Sequence, residues 1–398
     1  MSLRCPALWL LSAALTLSAE DFAKRIQTTL RVPDPPPALE ARVHGTFEPE
    51  PGVLAERVTY ATEFGLRIPA IVYSPHPKPA SKLPALIVVN GHGGDKYSWY
   101  AFYSGVLYAR AGAVVLTYDP AGEGERNPQR KSGTRAHDIV EPPEEMGRLL
   151  GGLMMTDVMQ AVSYLAGRPD VDARRIGAMG YSMGSFVLSL ACAVETRLRA
   201  CVLVGGGNLD GPGEYWDRSK PMCQGIPYRS IMFLGDRPAA IYAMHARRGP
   251  TLIFNGAADT VVNMPNTGPA FFDDLKRRSG ASFDYQFVEG VSHRPFFVTR
   301  PVALWLERRL DFPRWTEAAI QALPETHIGK WAQSLLIEMD KGYISEDREG
   351  GTMALGARVP ALSRDQLSVF TSGQWQIEKD RLTHDAWLRQ ARKLTPQP

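Results

Sequence analysis

The sequence predicts an α/β architecture. A mostly parallel eight-stranded sheet with helices on both faces carries a cap-like insertion and a C-terminal helical extension. Three observations lead there. Runs such as ALIVV (85–89) and AVVLTY (113–118) are apolar without interruption, which suits strands buried on both faces rather than half-exposed ones. They alternate with segments of helical period, the pattern of strands joined by crossover helices. The 398 residues are 44% hydrophobic and 22% charged, an ordinary globular balance that excludes disorder, fibrous repeats and a disulfide-dense miniature. With 45 Lys+Arg against 42 Asp+Glu, the formal charge of +3 gives no electrostatic basis for a nucleic-acid or anionic-membrane partner.

The elements follow in order. Residues 1–19 read as a signal peptide: Arg4 supplies the positive end, Ala7 to Leu17 the apolar run, and Ser18-Ala19 the small residues before Glu20. The run is shorter than the ~20 residues needed to cross a bilayer, so the mature chain is expected without a membrane span, secreted or periplasmic. The competing reading is a buried first helix. Residues 20–311 are expected as one catalytic domain, entered by a Pro- and charge-rich arm (20–55). Its strands are expected at Arg57 to Phe64, Arg67 to Tyr73, Ala85 to Asn90, Ala113 to Tyr118, Arg175 to Met179, Ala200 to Val204, Pro250 to Asn255 and Phe283 to Val288. The first strands lack intervening helices, which predicts an antiparallel edge. Helices are expected at Trp99 to Ala111, at Leu149 to Ala166 (stopped by Gly167-Arg168-Pro169), and from Ser182 to about Arg197. The stretch 208–248 is longer than a crossover requires and reads as a cap-like insertion. Its Trp216 and Tyr228 are candidate pocket residues, with a small core of the insertion's own as the alternative. Residues 312–398 form the extension, with helices expected at Glu325 to Lys341 and Gln374 to Lys393. Oligomeric state is not legible.

Chemistry concentrates in Gly180-Tyr181-Ser182-Met183-Gly184, a G-x-S-x-G with a strand before it and a helix after it. Such a turn lifts the Ser182 hydroxyl above the sheet at a helix N-terminus, where the dipole favours developing negative charge. A hydroxyl needs a positioned base to attack. His293, in the loop after the last strand, is the candidate, ahead of His92, His137 and His245. The base needs a carboxylate to fix its tautomer. Asp259, after the strand PTLIF, is chosen over Asp236 and Asp284. An attacked carbonyl needs backbone donors: the amide of Met183, and one from Val89-Asn90-Gly91-His92-Gly93-Gly94-Asp95. Gly94 is the candidate there, with Gly93 or Asp95 as alternatives and His92 as a buttress. Asp119 to Arg126 is Gly-rich but lacks the phosphate-loop spacings. No metal-ligand spacing is present and no cofactor is expected. Cys5, Cys192, Cys201 and Cys223 read as buried thiols, with a Cys192–Cys201 or Cys201–Cys223 bridge as the alternative in an oxidising compartment.

With NGHGG, YDPAGEGER, GYSMG, NGAADTVV and GVSH in this order, residues 55–311 resemble the α/β-hydrolase superfamily, and within it the dienelactone-hydrolase-like and acetyl-xylan-esterase-like branch. DVMQAVSYLAGRPDVDARRIGAMGYSMGS is also similar to the catalytic domain of prolyl-oligopeptidase-type peptidases, although no β-propeller precedes it. Dienelactone hydrolases carry Cys where this chain has Ser182. The resemblance implies an α/β-hydrolase fold and a serine carboxylic-ester hydrolase working through an acyl-enzyme on an acylated carbohydrate or another small ester. A serine peptidase or amidase with the same triad is the second reading. A non-catalytic binding protein on a hydrolase fold is the third.

Overall fold

The structure, a computed structural model, describes residues 18–138, 142–210, 222–294, 297–334, 353–356 and 358–394. The signal segment through Leu17 lies outside them. The main sheet has nine strands: β1 (Arg42–Glu50), β2 (Val53–Ala61), β3 (Arg67–Pro75), β4 (Leu83–Val89), β5 (Val114–Tyr118), β6 (Val171–Tyr181), β7 (Leu198–Val204), β8 (Thr251–Gly256) and β9 (Asp284–Val288). Their order is β1-β2-β3-β5-β4-β6-β7-β8-β9. The β1–β2, β2–β3 and β3–β5 pairs are antiparallel, and every pair from β5 through β9 is parallel. The antiparallel edge and the parallel centre are as expected. The strand count is not: β1 lies in what reads as a loose arm. Its residues are exposed or half-exposed on both faces, with Gly45 and Pro49 inside, so it lacks the apolar signature of a strand. It is an edge strand held by its ladder to β2.

The arm is ordered before β1 as well. Helix α1 (Ala19–Thr29) is capped by Ser18, whose hydroxyl accepts from Asp21 N while Asp21 answers on the Ser18 backbone. Its Ile26 and the following Leu30 are fully buried.

The crossover helices are α2 (Trp99–Arg110), α3 (Pro143–Ala166), α4 (Met183–Val194), α5 (Met222–Ser230), α6 (Arg237–His245), α7 (Gly268–Ser279) and, after β9, α8 (Arg300–Leu310). Side chains alternate along the strands: Ile87 and Val89 join the core under α1, α3, α4, α6 and α7, while Leu86 and Val88 join the core under α2 and α8. By length and hydropathy α3 is a helix that could cross a membrane, but most of it is buried in the first core. The described part of the insertion belongs to the body of the domain. In α5, Ile226 and Pro227 sit against Gly147 and Gly151 of α3, where a Cβ would lie 2.7 Å from each. Cys192 and Cys201, on α4 and the adjacent β7, are joined as a disulfide rather than left as thiols, and Cys223 is free and buried.

The extension docks on the α/β domain. Helices are present within it, but Glu325–His327 is a strand (β10) pairing with Met353–Leu355 (β11), where a helix was expected to begin. Helical structure starts at Ile328–Ser334, and residues 335–341 of the expected helix lie outside the described residues. Trp331 packs on Trp99, Phe102 and Tyr103 of α2. Further on, the amides of Val369 and Phe370 donate to Glu125 at 2.8 and 2.9 Å. The Trp387 indole donates to buried Glu63 at 3.1 Å.

Candidate active site

Parallel strands present their C-terminal ends together, so the loops after β4, β6, β8 and β9 converge there. Ser182 sits where β6 turns into α4, at φ 52° and ψ −114°. That left-handed backbone costs a non-glycine residue on the order of 1–3 kcal/mol, and the close packing around it holds it. A Cβ on Gly180 would lie 2.4 Å from the Gly184 carbonyl, and one on Gly184 would lie 2.1 Å from the Val89 carbonyl. The two glycines of the motif are there because backbone passes backbone at both positions.

His293 Nε2 lies 2.9 Å from Ser182 Oγ, and His293 Nδ1 lies 2.8 Å from Asp259 Oδ2. The structure thus brings the three predicted side chains together across 111 and 34 residues of chain. Asp259 is fully buried and His293 nearly so. Asp259 Oδ1 accepts the amides of Val261 and Val262 at 2.9 and 3.3 Å, which fixes the carboxylate plane and leaves Oδ2 to the imidazole. The acid and base loops interlock: Ala258 N donates to Val291 O at 3.0 Å, and a Cβ on Gly256 would sit 1.9 Å from the Ser292 carbonyl. Gly205, at φ 61° after β7, lets His293 approach, since a Cβ there would be 3.0 Å from its Cε1. Tyr181 lies against the imidazole, ring centres 5.3 Å apart. Gly205 and the Tyr181 contact carry no local sequence signal. They follow only from three-dimensional packing.

The competing residues are occupied elsewhere. His245 is a core histidine between Thr251 Oγ1 and the Ser189 carbonyl. Asp236 caps α6 through Ala239 N and pairs with Arg278. Asp284 takes the Trp305 indole at 2.6 Å. His92 and His137 lie together with Asp138 and Cys223, apart from the Ser182–His293 pair's hydrogen bonds.

Two expectations need correction. The Gly94 amide is spent inside the turn, donating to Gly91 O at 3.0 Å, and its missing side chain makes room for the Tyr100 hydroxyl. The Gly91 amide goes to Tyr100 Oη, the Asp95 amide to Ser98 Oγ, and the Gly93 amide to the Glu123 carboxyl. Among the described residues, the His92 amide makes no hydrogen bond within the loop. The Met183 amide, first in α4, has no intrahelical acceptor. Tyr228 is not a pocket residue: it is wholly buried, edge-on to Phe186 and covered by the Arg237 guanidinium. It belongs to the main core of the domain rather than to a small core of the insertion's own. Trp216 lies outside the described residues.

The loop after β4 is braced from below and from the extension. Lys96 Nζ bridges Asp119 at 2.5 Å and Glu125 at 2.8 Å, all three buried. Arg364 of the extension reaches Asp95 at 2.8 Å. The segment Asp119 to Arg126 is thereby a support for the site.

Known proteins agree with this architecture. The prolyl oligopeptidase family model matches residues 143–316, and the acetyl xylan esterase (AXE1) model matches residues 36–204. A Bacillus subtilis hydrolase, YtaP, is 27% identical over 171 residues, 38% of this chain and 55% of that protein. An uncharacterized Pseudomonas aeruginosa protein is 28% identical over 158 residues, 39% of this chain and 38% of its own length. The chain therefore spans about half or less of these curated relatives. Among solved structures of similar fold, a methylesterase covers 94% of this chain and 74% of its own at TM-score 0.59 and 20% identity. An acetyl xylan esterase from Paenibacillus sp. R4 covers 73% of this chain and 95% of its own at TM-score 0.53 and 18% identity. The sheet order and the turn at Ser182 are those of the α/β-hydrolase fold, which these solved structures share, and parts of the chain are similar to the prolyl oligopeptidase and acetyl xylan esterase families.

Proposed function

We propose that this chain is a secreted or periplasmic carboxylic-ester hydrolase that acts through Ser182, His293 and Asp259 on small esters, acylated carbohydrates among them. The observation that carries the reading is the unbroken relay from buried Asp259 through His293 to Ser182, at 2.8 and 2.9 Å. In the proposed cycle His293 Nε2 takes the Ser182 proton as Oγ attacks the ester carbonyl, then gives it to the departing alkoxide. Water, deprotonated by the same nitrogen, attacks the acyl-serine and releases the acid. Asp259 holds Nδ1–H and stabilises the imidazolium. The amides of Met183 and His92 are the donors for the oxyanion. The acetyl xylan esterase family match supports an acylated-sugar substrate. Export is supported by the apolar Ala7 to Leu17 run behind Arg4.

The test is turnover of p-nitrophenyl esters of increasing acyl length and of an acetylated xylo-oligosaccharide, with Ser182→Ala as control. Ester hydrolysis that vanishes in the variant supports the reading, and absence of turnover on every ester overturns it. The prolyl oligopeptidase match over 143–316 favours a second reading, an amidase or peptidase with the same three residues. Faster cleavage of aminoacyl-nitroanilides than of esters would decide for it.

A further inference from the structure

Beside the loop after β4 lies a second cluster of chemically competent side chains that the acyl-transfer reading does not use. His92 comes from that loop, His137 and Asp138 from the short 3-10 turn Ala136–Asp138, and Cys223 from α5. One ligand atom from each lies within 4.8 Å of all the others. His92 Nε2 is 3.0 Å from Asp138 Oδ1 and 3.1 Å from Cys223 Sγ. Cys223 Sγ is 3.2 Å from the same carboxylate oxygen, and His137 Nε2 is 3.5 Å from it. A tetrahedral zinc ion with about 2.0–2.1 Å bonds to N and O and about 2.3 Å to S separates its ligand atoms by about 3.3–3.7 Å. The four separations of 3.0 to 3.5 Å lie at or just under that spacing and none of the others exceeds 4.8 Å, so shifts of a few tenths of an ångström to about 1 Å bring the four atoms around one ion.

A second observation points the same way. His137 is almost completely buried, yet its ring nitrogens have only marginal partners, the Ala121 backbone and, at 3.5 Å, the Asp138 carboxylate, and neither makes a well-formed hydrogen bond, a costly state for a polar group in the interior. Its ring stacks on His92, centres 5.2 Å apart and 9° from parallel, so the two imidazoles enter the cluster side by side. Its other nitrogen, Nδ1, faces the buried Glu123 carboxylate at 3.9 Å. A carboxylate behind a ligating imidazole is the usual outer partner of a histidine–metal bond. Gly122 leaves the room, since a Cβ there would meet His137 Nδ1 at 3.2 Å.

We propose that His92 Nε2, His137 Nε2, Asp138 Oδ1 and Cys223 Sγ bind one divalent transition-metal ion of the zinc class. One thiolate, two imidazoles and a carboxylate suit such an ion and do not suit calcium or magnesium, which take oxygen ligands. Four protein ligands fill a tetrahedral shell, so the site is structural: it ties the loop after β4, the 136–138 turn and α5 to one another. On binding, Cys223 loses its thiol proton to solvent, and the ion takes the imidazoles as neutral ligands and Asp138 as a carboxylate.

The experiment uses the full chain. The protein is stripped with a chelator, exposed to zinc sulfate, desalted, and its metal content measured. It is separately titrated with cobalt(II) and read by absorption. The expected result is one zinc per chain in wild type and in Ser182→Ala. Cobalt is expected to give the intense visible bands of a tetrahedral site with a thiolate charge-transfer band. Both signals are lost in Cys223→Ser and in His137→Ala, each checked for native far-UV circular dichroism. Should either variant fail to fold, zinc protection of Cys223 from iodoacetamide in wild-type protein serves instead, with alkylation slowed at least tenfold by zinc. Wild type that retains no zinc after exposure, or variants that retain the full equivalent, would overturn the proposal. Neither result depends on ester turnover.

Discussion

Replacing Asp259 by Asn tests the relay at its most constrained point. The two side chains are nearly isosteric, so the fold tolerates the change. The Val261 and Val262 amides donate to Oδ1 at 2.9 and 3.3 Å, and they fix which way the new amide must lie. Its carbonyl has to face those two N–H groups, because the reverse orientation sets donor against donor twice, at about 1–3 kcal/mol for each buried group left unpaired. The amide nitrogen then points at His293 Nδ1, 2.8 Å away in the wild type. Nδ1 becomes an acceptor, Nε2 carries the proton, and the nitrogen 2.9 Å from Ser182 Oγ can no longer accept one. The expected loss in kcat is about 10,000-fold, or ~5 kcal/mol of transition-state stabilisation at about 1.36 kcal/mol per decade. KM for a small activated ester should change little. The assay is steady-state hydrolysis of p-nitrophenyl acetate, with thermal unfolding to show that the variant is folded. A folded Asp259→Asn protein within tenfold of wild-type kcat would refute the reasoning.

Other outcomes follow from the same coordinates. Burial pushes the Glu63 carboxyl up to about 8. Because the folded value exceeds the unfolded one, the contribution is complete below about pH 4.5 and is lost as pH rises toward 8. Glu63→Gln, which keeps an acceptor for the Trp387 indole, should match wild type in urea melts at pH 4.5 and exceed it by up to ~4 kcal/mol at pH 8.5. A constant difference across that window would contradict the assignment. Trp331→Ala removes a buried indole that bonds Val359 O at 2.7 Å and packs on three α2 aromatics, at an expected cost of about 3–5 kcal/mol. A denaturant-midpoint shift worth under ~1 kcal/mol would mean the extension is not docked as described. Expression in a host with a general secretory pathway should release a chain beginning at Glu20, read by N-terminal sequencing. A cell-retained protein starting at Met1 would remove the export proposal.

The parts of this molecule that were legible in the sequence are those whose signal is local. GYSMG encodes its own turn, because the glycines at 180 and 184 are demanded by backbone a few ångströms away. The continuous apolar runs encode β4, β5, β7 and β8, because strands buried on both faces have little room for a polar side chain, whereas the first half of β6 carries exposed charged residues. Asp259 and His293 were readable from chain order, each in the loop that follows a late strand. The misses share a cause. Strand β1 shows both faces to solvent, so only its pairing with β2 reveals it. The choice of donor in NGHGGD turns on which amides the loop consumes internally, which depends on Tyr100, Ser98 and Glu123. Tyr228 is an aromatic in an insertion, and composition alone does not separate lining from core. The His92, His137, Asp138 and Cys223 group spans 131 residues between its ends, with no ligand spacing to betray it.

The most direct measurement of the central claim is covalent capture. A fluorophosphonate is expected to label the native protein once, mass spectrometry to place the adduct on the peptide containing Ser182, and His293→Ala to abolish the labelling without unfolding the chain. An adduct on a different residue, or undiminished labelling of His293→Ala, would contradict that claim.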